Sequence, residues 1–277
     1  MKIAIIGLGL IGGSFCKALK KNTDCIVLGL DNNHETIEKA LRENSIDQEI
    51  SVNELNDADI TFVALHPTLA FDFISENADN WKENSIVSDL CGVKGYFKPL
   101  GGLLAQKNVQ YLGCHPMAGR EFSGYDYSTD SLFENASFII TKADKTTESS
   151  ITLVTEIARK IGFSKIVVTT PEVHDKNIAF TSQLAHVVSN TYIKSPTAHA
   201  KDGFSAGSYL DLTRVAKLNA DMWTELFIAN QKPLSYELDI IIKNLIEFKE
   251  TLDNTDTEKI RQLLEKGSQI KSGHSPL

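Results

Sequence analysis

Cysteine, basic charge and long apolar runs are all scarce in this sequence. Its four cysteines are scattered without CxxC spacing, so neither a disulfide framework nor a zinc site is indicated. This usage predicts a reducing, cytoplasmic setting. Lysine and arginine number 28 against 36 aspartate and glutamate residues, for a net charge of −8. The lack of a broad basic field argues against nucleic acid or an anionic membrane as a partner.

No apolar segment reaches the roughly 20 residues that a helix needs to cross a bilayer. The stretch from Ile3 to Ile11 superficially resembles a signal peptide, but glycines interrupt it and it fits a strand, a turn and a helix better. Apolar residues at 42% and charged residues at 23% are typical of a globular protein. At 277 residues the chain is long enough for two domains, which we expect.

The first part of the chain alternates short apolar runs with amphipathic stretches, as a parallel sheet flanked by helices requires. The predicted strands are Lys2–Ile6, Cys25–Leu30, Asp59–Leu65, Ser85–Asp89, Gln110–Cys114, Ser137–Thr141 and Lys165–Val168. The predicted helices between them include Gly13–Lys20, Glu35–Arg42, Val93–Ala105 and Glu148–Ile161. We therefore expect an α/β domain of the Rossmann type over residues 1–169.

After Thr170 the strand signals fade, and Pro171 suits the first turn of a new helix. Apolar residues then recur at helical spacing. The predicted helices are Pro171–Ile193, Leu210–Asn219, Met222–Phe248 and Asp256–Glu265. Residues 170–277 are therefore expected to form an all-α domain, and its long apolar faces favour a homodimer.

A GxGxxG motif runs from Gly7 to Gly12, directly after the first predicted strand. Its glycines permit a tight turn and close approach to a pyrophosphate, and the following helix N-terminus offers N–H groups to the phosphates. Asp31 ends the next strand, 19 residues beyond Gly12, where a carboxylate can bind ribose hydroxyls. Because Asp31 would repel a 2′-phosphate, we predict NAD rather than NADP as the cofactor.

The predicted cofactor site draws on the glycine loop and on the ends of the next two strands. Its members are Gly7, Gly9, Leu10, Ile11, Gly12, Asp31, Leu65, His66 and Pro67. Ligands of an open α/β sheet bind outside the carboxyl ends of its strands, where these residues are expected to lie.

His115 stands just past the predicted strand Gln110–Cys114, at the same end of the sheet. A neutral imidazole can take a hydroxyl proton while a hydride leaves for a nicotinamide, because its unperturbed pKa is near neutrality. Position alone leaves a catalytic role and a structural role equally open.

Three motifs together resemble those of the prephenate dehydrogenase family. They are the glycine fingerprint, the run His115-Pro116-Met117-Ala118-Gly119 with Glu121, Ser123 and Gly124 behind it, and the run Leu212-Thr213-Arg214-Val215-Ala216. The resemblance covers nearly the whole chain and implies a nucleotide-binding domain followed by a helical dimerisation domain. It also implies NAD-dependent oxidative decarboxylation of prephenate to 4-hydroxyphenylpyruvate on the route to tyrosine, with arogenate as the variant substrate.

The same resemblance implies roles for individual residues. His115 would accept the proton of the substrate C4 hydroxyl, and Arg214 would bind a substrate carboxylate through two parallel hydrogen bonds. Ser182 and His186, one helical turn apart, would line the substrate site, and His174 is a weaker candidate on the same helix. From the sequence alone, Arg214 could instead face solvent and His186 could belong to the core.

One segment departs from the family pattern. The family often shows Asp-x-Gly-Ser-Val-Lys where this chain has Asp89-Leu90-Cys91-Gly92-Val93-Lys94, so Gly92 replaces a serine that commonly hydrogen-bonds the catalytic histidine. We expect water or backbone to make that contact rather than Cys91, because nothing basic in the sequence lowers the pKa of its thiol. Gln183 likewise stands where some members have histidine.

Other functions stay open at this point. A related hydroxy-acid dehydrogenase or imine reductase would rely on a lysine of the helical domain, for which Lys176 is the nearest candidate. A nucleotide-binding sensor without catalysis is supported only by Gly92. The sequence does not separate prephenate from arogenate, which differ by a keto group and an ammonium.

Overall fold

The computed structural model describes residues 1–120, 122–143, 145–200 and 203–273, so Glu121 lies outside the described residues. The chain forms two compact units. The first comprises Met1–Ile178 and Lys217–Asn230, and the second comprises Ala179–Ala216 and Gln231–Leu277. The domain boundary expected after residue 169 stays a prediction.

A sheet forms the centre of the first unit. Among the described residues its eight strands are β1 (Lys2–Ile6), β2 (Ile26–Leu30), β3 (Gln48–Glu49), β4 (Ile60–Val63), β5 (Ile86–Asp89), β6 (Gln110–Pro116), β7 (Ser137–Lys142) and β8 (Lys165–Thr169). Their order is β3-β2-β1-β4-β5-β6-β7-β8, and neighbours are parallel except β6 and β7. The order reverses between β1 and β4, which is where doubly wound sheets bind their ligands.

Helices make up most of the remaining regular structure. In chain order they are α1 (Leu10–Asn22), α2 (His34–Arg42), α3 (Pro67–Glu76), α4 (Lys98–Ala105), α5 (Glu148–Lys160), α6 (Pro171–Ile178), α7 (Ala185–Tyr192), α8 (Gly207–Thr213), α9 (Ala220–Ala229), α10 (Gln231–Asp253) and α11 (Thr257–Lys271). The first unit is therefore α/β of the Rossmann type, and the second unit is helical. In the described part of the chain, no helix has both the length and the apolar character needed to span a membrane.

The core lies on both faces of the sheet. Alternate residues of β1 point to opposite faces, so Ile3 and Ile5 pack in one apolar cluster while Ala4 and Ile6 pack in another. Phe15 of α1 anchors the first cluster, with its ring 4.8 Å from that of Phe133. Burial on both faces explains why the strands are continuous apolar runs rather than alternating ones.

All seven predicted strands are present, with bounds shifted by at most two residues. The edge strand β3 was missed because Gln48 and Glu49 are both exposed and give no apolar signal. The antiparallel direction of β7 against β6 was also missed, since a buried run has the same pattern in either direction.

Four predicted helices differ clearly from those observed. Val93–Ala105 is helical only from Gly95, first as a 3₁₀ turn and then as α4, because Pro99 fits only a first helical turn. Leu210–Asn219 ends at Thr213, and Met222–Phe248 is divided into α9 and α10 at Asn230. Pro171–Ile193 is helical through Tyr192, but its middle turn, Ala179–Leu184, is π-helical.

Candidate functional site

The glycine loop joins β1 to α1 in close contact with its neighbours. Gly7 has φ +85°, in the left-handed region that favours glycine, and a Cβ there would lie 2.8 Å from the backbone oxygen of Ala64. A Cβ on Gly12 would lie 1.9 Å from the backbone oxygen of Gly7. At Gly9, by contrast, a Cβ would meet no described atom within 4 Å. The loop is thus tightly packed at its ends and open in its middle.

The N-terminus of α1 opens at Gly9, its N-cap residue. None of the described side chains caps this helix, and its first turn carries no acidic residue. The first N–H groups of a helix, here those of Leu10 and Ile11 among them, lack intrahelical acceptors and lie at the positive end of the helix dipole. This end of α1 therefore suits the pyrophosphate of a dinucleotide.

Asp31 follows β2 and its carboxylate reaches back to the glycine loop. Its Oδ2 accepts a hydrogen bond from the backbone N–H of Leu8 at 2.7 Å, and its Oδ1 accepts one from that of Asn33 at 2.9 Å. The carboxylate is therefore fixed beside the loop, where it can meet ribose hydroxyls. That Asp31 also braces the loop is a role that the sequence spacing did not reveal.

The loop after β4 completes this part of the site. A Cβ on Gly7 would lie 2.7 Å from Cδ2 of Leu65, so Leu65 lies beside the glycine loop. His66 is the exposed N-cap of α3, and Pro67 is the buried first residue of that helix. The groups around the glycine loop fit the pyrophosphate and the adenosine ribose of NAD.

His115 lies near the carboxyl end of β6, and its side chain is partly exposed. Its Nδ1 lies 2.9 Å from Nε2 of His174, and Nδ1 of His174 lies 2.7 Å from Oδ1 of Asp175. His174 and Asp175 are only 2% and 5% exposed. From the sequence, His174 is a weaker candidate than His186 and Asp175 is not identified, although a His-Asp pair at the start of a helix after a strand is an available signal.

Burial keeps the imidazoles of this group neutral. It lowers the pKa of His115 well below its usual value, and the nearby His174 and Lys94 lower it further. Burial also lowers the pKa of His174, against the opposing effect of its hydrogen bond to Asp175. Near neutral pH, His115 is therefore an unprotonated base that can accept a proton.

A buried ion pair lies next to these histidines. Nζ of Lys94 donates to Oδ1 of Asp89, and both side chains are fully buried. The hydroxyl of Tyr111 donates to Oδ2 of Asp89 at 2.5 Å, and the backbone N–H of Cys91 donates to Oδ1 at 2.9 Å. These hydrogen bonds offset the free-energy cost of removing the two charges from water.

Gly92 lies against the imidazole of His115. A Cβ built on it would lie 3.7 Å from Nε2 of His115 and 3.5 Å from Cδ2 of Leu226, which are ordinary contact distances. Cys91, the neighbouring thiol, donates instead to the backbone oxygen of Leu65 at 3.4 Å, and burial raises its pKa well above the usual value. Its hydrogen bond is thus made to the backbone rather than to His115.

The second unit brings together the other predicted substrate residues. Nδ1 of His186 lies 2.8 Å from the backbone oxygen of Ser182. Burial lowers the pKa of His186, and the positive charge of Arg214 lowers it further. Arg214 is exposed at the C-terminal end of α8. This part of the second unit therefore presents an accessible guanidinium near a neutral imidazole.

Other candidates from the sequence take less specific positions. Lys176 is exposed on α6. Gln183 is buried in the π-helical turn. No group of three or more His, Cys, Asp or Glu side chains that could hold a metal ion occurs in the described ranges of the chain.

Comparison with known proteins gives consistent matches over both parts of the chain. Residues 15–168 match the family model for the prephenate dehydrogenase nucleotide-binding domain, and residues 170–266 match that for the prephenate dehydrogenase dimerization domain. The chain is 27% identical to the prephenate dehydrogenase of Lactococcus lactis subsp. cremoris, over 98% of this chain and 76% of that protein.

Two further relatives resemble nearly the whole chain. The cyclohexadienyl dehydrogenase of Zymomonas mobilis is 28% identical, over 92% of this chain and 89% of its own length. The structure of prephenate dehydrogenase from A. aeolicus, in complex with hydroxyphenyl propionate and NAD+, has a TM-score of 0.87 and 26% identity. That match covers 99% of this chain and 98% of the other.

Proposed function

Because this chain belongs to the prephenate dehydrogenase family, we propose that it oxidises prephenate with NAD and releases carbon dioxide and 4-hydroxyphenylpyruvate, in tyrosine biosynthesis. The observation that carries this function is His115, a neutral imidazole at the carboxyl end of β6 in the nucleotide-binding unit. Such a group can deprotonate a substrate hydroxyl as its carbon is oxidised.

The chemistry assigns distinct roles to the protein. His115 takes the proton of the C4 hydroxyl, and the C4 hydrogen leaves as a hydride. Bound NAD supplies the hydride acceptor. The ring carboxylate then leaves as carbon dioxide, its bonding electrons enter the ring, and His115 can return the proton to the oxygen of the new phenol. Aromatisation drives the reaction forward.

Arg214 is proposed to bind a substrate carboxylate. Its guanidinium is exposed, and the neighbouring His186 has a lowered pKa, so the positive charge there resides on the arginine. A guanidinium can hold a carboxylate through two parallel hydrogen bonds. Ser182 and His186 are proposed to line the same part of the substrate site.

The function can be tested by mixing the purified protein with NAD and each of three substrate types. We expect NADH from prephenate. Faster turnover of arogenate would favour an arogenate dehydrogenase instead. The similarity to a cyclohexadienyl dehydrogenase supports testing this alternative. NADH from short 3-hydroxy acids alone would overturn the assignment, and no NADH from any of them would favour a sensor.

Removal of the Arg214 guanidinium should weaken substrate binding selectively. For Arg214→Ala we expect KM for prephenate to rise about ten- to hundredfold, because hydrogen bonds to charged groups contribute about 1.5–3 kcal/mol. KM for NAD should stay within about twofold of the parent value, because the proposed contact is to the substrate. A similar rise in both Michaelis constants would indicate a general structural defect. Arg261→Ala, which removes an exposed arginine of α11, is the matched control. Equal effects on both Michaelis constants would refute the proposed role.

Asp31 should determine the choice of cofactor. Asp31→Ser removes the charge that repels a 2′-phosphate and loosens the bonds to Leu8 and Asn33. We expect KM for NAD to rise about tenfold or more, by loss of a charged hydrogen bond, and the ratio of NADP to NAD activity to increase. Initial rates with both cofactors measure this, with the exposed Asp24→Ser as control. An unchanged ratio would show that Asp31 does not face the ribose.

A homodimer is also proposed, through the helical unit. The long helix α10 buries only Leu234 and Thr251, while several of its large apolar residues are exposed. They include Tyr236, Ile240, Ile242, Leu245, Ile246, Phe248 and Leu252. Apolar surface on this scale suits a second copy. Light scattering should give twice the 30.6 kDa of one chain, and Leu245→Glu, whose parent side chain is 62% exposed, should shift the mass toward the monomer.

The proposed location is the cytoplasm. Its support is the state of the cysteines: Cys16, Cys25, Cys91 and Cys114 are free thiols, and three of them are buried. Reduced thiols of this kind are typical of a reducing compartment.

A further inference from the structure

Three side chains of the first unit form a continuous hydrogen-bonded line, which we call the imidazole relay: Asp175, His174 and His115. The carboxylate lies 2.7 Å from Nδ1 of His174, and Nε2 of His174 lies 2.9 Å from Nδ1 of His115. The two rings meet edge to face, with centroids 5.1 Å apart and planes at 63°. The line ends at Nε2 of His115, which lies beside Gly92.

The protons of the relay can be placed from its fixed end. Oδ1 of Asp175 accepts from the backbone N–H of Lys94 at 2.8 Å, and Oδ2 accepts from that of Gly95 at 2.7 Å. Backbone N–H groups can only donate, so both oxygens of Asp175 serve as acceptors here. His174 must therefore donate from Nδ1 to this carboxylate.

The remaining protons follow from the chemistry of imidazole. A neutral imidazole has one N–H and one bare nitrogen, so His174 with its proton on Nδ1 has a lone pair on Nε2. That lone pair can only accept, and the neighbouring group is Nδ1 of His115. A neutral His115 therefore carries its proton on Nδ1 and has its lone pair on Nε2.

The surroundings hold the fixed end in place. Asn230, 2% exposed, donates from Nδ2 to the backbone oxygen of Asp175 at 2.9 Å. A Cβ on Gly95 would lie 2.8 Å from Oδ2 of Asp175, so a side chain at this position would obstruct the carboxylate. The charged groups around the relay are Lys94 and Asp89, which are paired with each other.

We propose that His174 and Asp175 are positioning residues that hold the proton of neutral His115 on Nδ1 and so direct its basic Nε2 toward the substrate hydroxyl. This inference rests on the proposed function. When Nε2 takes the substrate proton, the new positive charge on His115 is stabilised through His174 by the carboxylate of Asp175. His174 touches no reacting atom and acts through His115.

The test is the tautomer of His115, read from long-range ¹H–¹⁵N spectra of the intact protein above the ordinary histidine pH range. His115→Asn assigns the signals. The wild type should show the proton on Nδ1, and His174→Phe, which removes the acceptor, should move it partly or wholly to Nε2 and lower kcat about 10- to 100-fold with little change in KM for prephenate. His174→Gln, whose amide oxygen can accept from Nδ1, should restore much of kcat.

The outcomes separate the relay from the proposed function. A proton on Nε2 in the wild type overturns the relay, and so does a His174→Phe variant with unchanged tautomer and kcat. If His174→Phe fails to fold, the wild-type tautomer and the His174→Gln rates decide the matter. If the wild type does not oxidise prephenate, the proposed function fails while the tautomer still confirms or refutes the relay. The exposed His34→Phe is the matched control and should change neither signal nor rate.

Discussion

Replacement of His115 by asparagine should lower kcat for prephenate by about 10²- to 10⁴-fold, the usual contribution of a general base. The asparagine removes the proton acceptor but retains a polar side chain of smaller size near the end of β6. Binding of NAD, measured by fluorescence titration, should stay unchanged, because the glycine loop and Asp31 are untouched. A loss of less than tenfold would show that His115 is not the base.

The pH dependence of the parent provides an independent check on the same residue. His115 acts as a base only when neutral, so activity is lost as the pH falls through its pKa. Burial and the nearby His174 and Lys94 lower that pKa well below its usual value, so kcat/KM should remain high below the ordinary histidine range and fall only at more acid pH. An acid limb centred at or above the ordinary histidine pKa would contradict this arrangement. In His115→Asn this limb should disappear from the residual rate.

The second large effect is expected on stability. Asp89→Asn should reduce the free energy of unfolding by about 3–5 kcal/mol, because it leaves the fully buried ammonium of Lys94 without its counter-charge. The bond from the hydroxyl of Tyr111 would also lose its charged acceptor. Denaturant unfolding followed by circular dichroism measures the change.

A double variant distinguishes the loss of pairing from a packing defect. Lys94→Met in the Asp89→Asn background removes the unpaired charge, so stability should recover by a large part of the loss. Asp130→Asn, which breaks the exposed pair with Lys21, should have a far smaller effect than Asp89→Asn. A single Asp89→Asn variant as stable as this control would mean that Lys94 finds another partner or loses its proton at little cost.

The glycine loop, Asp31 and the buried strands could be predicted because each depends on residues that are close together in the sequence. Gly7 and Gly12 have fixed roles because a Cβ at either position would collide with backbone, and Gly9 leaves the approach to the loop open for a pyrophosphate. Asp31 could be placed because a strand of ordinary length ends there. The buried strands were found for the same reason, since each is a short apolar run between polar turns.

The features that escaped sequence reasoning depend on distant residues. His115 and His174 are 59 positions apart, and only the folded sheet brings Nδ1 of one to Nε2 of the other. Lysine side chains are almost never fully buried unless they are paired. The burial of Lys94 is therefore explained only by its ion pair with Asp89, whose carboxylate also accepts from Tyr111. For Gly92, the family resemblance suggests proximity to the catalytic histidine. Only the fold shows that a Cβ at this position would lie at ordinary contact distance from Nε2 of His115.

The first unit is built from two separate stretches of the chain, and this constrains how it folds during synthesis. Its last segment, Lys217–Asn230, carries Glu225, which accepts from the backbone N–H of Thr68, and Asn230, which holds Asp175. Domains fold during synthesis once their residues have been made. On the ribosome, the nucleotide-binding unit thus cannot reach its final structure until Asn230 has emerged. A nascent chain released earlier would have the glycine loop but would lack the hydrogen bond from Asn230 that supports Asp175 in the relay.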